Sequence, residues 1–134
     1  MLDTNVLVSA FLWRGAPNKL IERASEGEVQ LFTSRALLDE LSEVLKRRKL
    51  ARALSVTGLT ATELLGFYRK LAYRVTARQL ARQVSRDRDD DAVLACALAA
   101  KADLIVSGDA DLLTLGEYRG IRIISPAAAL TMMR

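Results

Sequence analysis

The chain has 134 residues and not one histidine. That absence excludes Ser-His-Asp triads, Cys-His pairs, imidazole general bases and histidine-ligated zinc. Any catalysis has to rest on carboxylates, hydroxyls, lysine, or a metal held by oxygen. Cysteine is nearly absent as well. The one thiol, Cys96, has no partner within the chain and sits in an apolar helical run, where a small core residue is the simplest reading. A chain without disulfides fits a reducing compartment, and no basic stretch followed by an apolar signal core precedes the first polar residues. The expectation is a cytoplasmic protein. Long hydrophobic runs are missing too: the best, Ala92 to Ala100, is about half of the ~20 residues a bilayer requires, so no membrane association is expected.

Hydrophobic residues make up 51% of the chain, enough for a real core and too many for a disordered one. One domain spanning 1–134 is expected. The net charge of +4 is modest but unevenly spread. Basic residues gather in Lys46-Arg47-Arg48-Lys49 with Arg52, and again through Arg69-Lys70, Arg74, Arg78, Arg82, Arg86 and Arg88. Such clusters suit a polyanion, although on charge alone a solvated helix face is the simpler reading.

Short β-type runs alternate with helical patterns. Met1-Leu2 is a brief β-run, followed by the polar turn Asp3-Thr4-Asn5 and a helix from Val6 to Trp13. Pro17 opens a second helix to about Ser25, and Val29 to Thr33 reads as a strand. Ser34 caps an amphipathic helix to about Arg48, whose apolar face carries Leu37, Leu41, Val44 and Leu45. Glu40 lies at the border of that face. Lys49 to Leu54 continues as a short helix or turn. Thr60 and Glu63 form a capping box for a helix to about Leu71. Tyr73 to Thr76 has strand character, and Ala77 to Ser85 reads as a connector. Ala92 to Ala100, apolar all round, predicts a helix packed on several sides. Leu104 to Ser107 is a buried strand, Asp109 to Leu113 a helical turn, Gly116 to Gly120 a turn, Ile121 to Ile124 a last strand, and Pro126 starts a last helix. This alternation predicts an α/β/α three-layer sandwich around a central, mostly parallel sheet.

Acids recur at places where such a sheet gathers ligands. Asp3 and Asp109 each directly follow a β-run, and parallel strands present their carboxyl ends along one edge. Asp87, Asp89, Asp90 and Asp91 open the apolar helix. One of them suffices as a cap; so many exceed that role. Clustered carboxylates resist joint ionisation unless a cation neutralises them. An all-oxygen site favours Mg²⁺ or Mn²⁺, which acidify bound water and stabilise charge on a phosphodiester.

The opening LDTNVLVSAFL and the later DRDDDAVLACALAAKADLIVSGDADLL resemble the PIN-domain ribonucleases, in particular the VapC-like toxin components of bacterial toxin–antitoxin pairs. The resemblance runs along essentially the whole chain. It implies a metal-dependent endoribonuclease in which Asp3, Glu40, one of Asp90 and Asp91, and Asp109 hold the ion. Asn5 and Ser107 support the site, and Asp111 is an additional acid. Spacing from Asp109 in toxin-like relatives favours Asp91, whereas the branch with a DxDDD-type motif favours Asp90; the lean is to Asp91. Arg47, Arg48, Lys49 and Arg86 are the expected nucleic-acid contacts. An antitoxin partner and a homodimer also come with the resemblance.

Three alternatives stand beside it. Asp3-Thr4-Asn5-Val6 comes within one residue of the D-x-D-x-T/V nucleophile motif of haloacid-dehalogenase-type phosphatases, with Asn5 in place of the second acid. A phosphoacceptor receiver domain has a similar length but needs its acids elsewhere. A catalytically inactive PIN-fold binding module would keep the fold without the chemistry; the short first strand favours it and the retained acids oppose it.

Overall fold

A computed structural model describes residues 1–80 and 82–133. Eight α-helices run through the described residues: α1 (Thr4–Leu12), α2 (Ala16–Ser25), α3 (Arg35–Leu45), α4 (Ala51–Thr57), α5 (Ala61–Leu71), α6 (Arg88–Ala100), α7 (Ala110–Leu115) and α8 (Pro126–Met132), with a 3₁₀ turn at Arg48–Leu50. The strands are short: β1 (Phe32–Thr33), β2 (Tyr73–Arg74), β3 (Leu104–Val106), β4 (Glu117–Tyr118) and β5 (Ile121–Ile124). The fold is α/β. Its strands form a parallel β1-β2 pair and a three-stranded sheet of order β3-β5-β4.

Met1-Leu2 adds itself to the second sheet. Leu2 bridges Val106 in parallel. The Val106 amide donates to the Met1 carbonyl at 2.8 Å and the Asp3 amide to the Val106 carbonyl at 3.1 Å. Even a two-residue run is thereby registered against β3, and Asp3 leaves the sheet at the level of Ser107. On the other side β3 pairs in parallel with β5, from Leu104↔Arg122 to Val106↔Ile124.

Caps written in the sequence decide where helices begin. Asp3, Ser34, Asp87, Asp109 and Ser125 each accept a backbone N–H of the helix that follows, and Thr60 and Glu63 close a reciprocal capping box. The cap at Asp87 corrects one expectation. The apolar helix starts at Arg88, not Ala92, so Asp89, Asp90 and Asp91 occupy its first turn. Smaller corrections concern ends. The amphipathic helix stops at Leu45, and the strand after α5 keeps only Tyr73–Arg74. The Gly116–Gly120 turn contains β4, antiparallel to β5; Gly116 and Gly120 both take positive φ there, which glycine allows at no steric cost. The connector carries no helix or strand at 75–80 or 82–87; Ala81 within it lies outside the described residues.

Two apolar clusters hold these parts. One joins α1, α2, α3 and α5 through Leu7, Leu41, Leu45 and Tyr68. The other wraps α6 against β3 and β5 through Leu94, Cys96, Ile105, Leu112 and Ile123. Leu94, Cys96 and Ala97 are fully buried, as expected for a helix that is apolar on every side. Burial pushes the Cys96 thiol up to about 11, which agrees with a packing role. No helix among the described residues is long and apolar enough to cross a membrane.

Candidate active site

The ends of two neighbouring strands and the starts of three helices meet at one pocket of about 240 Å³. Asp3 and Asp109 come from the strand ends, Asp87, Asp89 and Asp90 from the start of α6, and Glu40 from the middle of α3; Thr4, Asn5 and Arg47 complete its polar wall. Six carboxylates therefore share the wall with one positively charged side chain, Arg47.

The two strand-end acids are tied together by Ser107. Its fully buried hydroxyl donates to Asp3 Oδ2, and its Oγ accepts the Asp109 amide at 2.9 Å. The other Asp3 oxygen, Oδ1, accepts the Val6 amide at 3.0 Å, and Asp109 Oδ2 accepts the Leu112 amide at 3.0 Å. Both carboxylates are fixed by cap bonds, with little rotational freedom left to lose when a ligand arrives. Asp90, buried in the first turn of α6, is held by the Ser85 hydroxyl at 2.9 Å.

Crowding of like charges away from water moves the titrations. Burial, then the charge of Asp89, raises Glu40 to about 7. Burial raises Asp90 to about 6, with the nearby Asp109 adding to the effect. Asp3 is also raised, chiefly by burial. Carboxylates crowded and raised in this way are the kind that a positive charge placed among them would stabilise in the ionised form.

Oxygens of Asp90, Asp109 and Asp111 approach within 4.8 Å of one another, a spacing that one ion can bridge. Thr4 is buried, lines the pocket and hydrogen-bonds toward the Glu40 carboxylate, which it lowers against the larger effect of burial. The all-oxygen donor set suits a hard divalent cation.

Most of the residues singled out in the sequence are brought together here: Asp3, Asn5, Glu40, Arg47, Asp90 and Asp109 line the pocket, with Ser107 beneath. Asp91 does not join them. Its carboxylate turns to the connector and accepts the Ser85 amide at 2.7 Å and the Val84 amide at 3.1 Å. Asp91 projects from the helix about 100° round from Asp90, toward the connector and away from the pocket. Asp111 sits at the rim and forms a two-pronged ion pair with Arg86, both bonds 3.0 Å. That pair lowers Asp111 and occupies the Arg86 guanidinium. Arg48 and Lys49 lie exposed on the 3₁₀ turn that follows Arg47. Thr4, Asp87 and Asp89 were not among the predicted ligands. For Thr4 the only signal was its place between Asp3 and the first helix, which reads equally well as capping.

The different duties of the two neighbouring acids are separable. Asp91→Ala should unpin Val84 and Ser85 and lower stability by about 1–2 kcal/mol, with metal affinity changed less than threefold. Asp90→Ala should weaken Mn²⁺ binding at least tenfold. Isothermal titration with Mn²⁺ beside thermal melts checks both; the reverse ranking would make Asp91 the ligand.

The PIN-domain family model matches residues 1–111. The chain belongs to the PIN-domain family, whose members are generally nucleases using divalent metals. No curated protein matches the chain.

Proposed function

We propose that this protein is a Mg²⁺- or Mn²⁺-dependent endoribonuclease of the VapC-like toxin type. The observation that carries the reading is the convergence of Asp3, Glu40, Asp90 and Asp109, from four separate segments, on one pocket with raised carboxyl titrations. These four would hold the cation, with Asp111 joining from the rim through its approach to Asp90 and Asp109. Bound there, the cation supplies Lewis-acid charge and an acidified water to the phosphodiester. The chain itself contributes orientation. Ser107 and the Val6 amide fix Asp3 and the Leu112 amide fixes Asp109; Arg47, on the pocket wall, would hold a non-bridging phosphate oxygen. Asp3 has donors on both oxygens, which disfavours it as the attacking group of a phosphatase.

The wider reading extends the sheet. Met1-Leu2 would join β1-β2 to β3-β5-β4, giving a three-layer, mostly parallel arrangement within a single domain over 1–134. The remaining elements are RNA as substrate, a cognate antitoxin that covers the acid pocket, a homodimer, and a cytoplasmic setting; the sequence resemblance supports them. An RNA pool with single-stranded and structured regions tests the core of the proposal. Cleavage should require Mn²⁺ or Mg²⁺ and stop in EDTA. Cleavage that persists in EDTA, or metal-dependent release of phosphate from monoesters with RNA left intact, would overturn it.

A further inference from the structure

A second cavity, of about 480 Å³, lies across α6 from the acid pocket. Arg78, Arg82 and Arg88 line it, over an apolar floor that includes Leu80, Ala92 and Ala95. All three arginines are exposed. Among the described residues the ion pairs are Arg23–Glu28 and Arg86–Asp111, so none of these guanidiniums is neutralised. The one acid on the wall, Asp91, already accepts the Val84 and Ser85 amides. The cavity continues along the helix into another of about 430 Å³, which shares Arg78, Leu80 and Ala95 and adds Arg119. The Arg119 guanidinium is held over the Tyr118 ring, 5.5 Å from its centre.

From Arg88 to Ala99 this trough follows about 16 Å of α6 at 1.5 Å per residue. Its upper end begins at the helix turn whose other side supplies Asp89 and Asp90 to the acid pocket. The path round one side of a helix about 10–12 Å across is about 16–19 Å, roughly three nucleotides of an extended unpaired strand. A strand with a phosphate in the acid pocket therefore reaches Arg88 within a few nucleotides, and Arg82, Arg78 and Arg119 beyond it. Guanidiniums hold phosphates bidentately and stack on bases, which suits an unpaired strand in a trough lacking aromatic walls. An A-form duplex is too wide to follow a groove along a single helix.

We infer that the trough of Arg78, Arg82, Arg88 and Arg119 along α6 is the path of single-stranded RNA flanking the cleaved bond. The identity of the strand rests on the nuclease reading; the trough itself does not. These arginines are positioning residues. They hold the substrate several nucleotides from the reacting phosphate, and their loss is felt in KM before kcat.

Binding and cleavage are measured side by side on a labelled single-stranded RNA of about twelve nucleotides, with wild type, the R78A/R82A/R88A variant and its R78K/R82K/R88K counterpart. Fluorescence anisotropy in EDTA should show the Kd of the alanine variant rising about tenfold or more. The slope of log Kd against log salt should become shallower by about 2, at ~0.7 per phosphate contact on a single strand. The lysine variant should recover part of the affinity and most of the slope. With Mn²⁺, the alanine variant should show a raised KM on the twelve-mer, and that difference should vanish on a trinucleotide too short to enter the trough. RNA bound equally by wild type and alanine variant overturns the inference. So does a labelled hexaglutamate peptide bound more tightly than the RNA, which would assign the trough to an acidic protein segment. Arginine-dependent binding without cleavage by any metal would sink the nuclease reading and leave the trough standing.

Discussion

Asp3→Asn should cut metal-dependent RNA cleavage by about a hundredfold to a thousandfold while leaving the fold as stable as before. The size of the loss follows from removing one preorganised charge from a site where charge stabilisation dominates. The stability half of the expectation is the more diagnostic. Asn keeps an oxygen for the Val6 amide, and asparagine caps helices as well as aspartate does. Its amide group can donate to Ser107, whose hydroxyl rotates to accept. Meanwhile a buried carboxylate with a raised titration disappears from a cluster of like charges. Single-turnover cleavage and a thermal melt of the same sample read both effects. Retained cleavage would remove Asp3 from the site. Lost cleavage with a collapsed melt would reduce its role to capping.

Without divalent metal, the protein should be more stable near pH 4.5 than near pH 6.5, and saturating Mn²⁺ should abolish the difference. Glu40 moves from 4.5 to about 7 and Asp90 from 3.8 to about 6 on folding, chiefly through burial. Between those limits the folded chain binds more protons than the unfolded one. The stabilisation is thus complete below the unfolded values and is lost as pH rises through the folded ones. The buried Met1 amine, lowered from 8.0 to about 6 by burial, acts in the opposite sense above pH 6. That sets the upper end of the comparison. These carboxyls line an open pocket where water screens them, so the discounted effect is about 2 kcal/mol, or about 8 °C in Tm. A cation at a hundred times its Kd contributes about 2.7 kcal/mol and removes the incentive to protonate. Differential scanning calorimetry at the two pH values, with EDTA or Mn²⁺, decides the matter, and Glu40→Gln should flatten the metal-free trend. A pH response unchanged by Mn²⁺ would place the titrating groups outside the metal site.

How far the sequence could lead is clearest at particular residues. Asp3 and Asp109 were legible because strand ends in α/β folds gather ligands, and each β-run is followed within three residues by an acid. Glu40 was legible only through resemblance; its place at the edge of the apolar stripe reads as readily as a solvated glutamate. Spacing from Asp109 in the resembling family leaned to Asp91, whereas Asp90 is the one that lines the pocket; the helix start was hidden as well. The apolar pattern placed that start at Ala92, whereas the cap at Asp87 brings it forward to Arg88. Capping is a local hydrogen-bond event that hydrophobic periodicity does not register. The ion pair of Arg86 with Asp111 spans 25 residues, beyond any helical or strand period. Likewise β4 was hidden because a two-residue antiparallel strand inside a glycine turn carries no pattern of its own.

The bond from Ser107 to Asp3 joins positions 104 residues apart, and Met1-Leu2 finds its place only against β3. The first strand of the site is thus made first and completed late. During synthesis at ~5–20 residues per second, the amino-terminal acid waits on the order of ten seconds for its counterpart, longer by the time the last residues take to clear the ribosome. A nascent chain shorter than Asp109 lacks the carboxylate set altogether. The carboxylate set is therefore a product of the finished fold and of no segment that forms early.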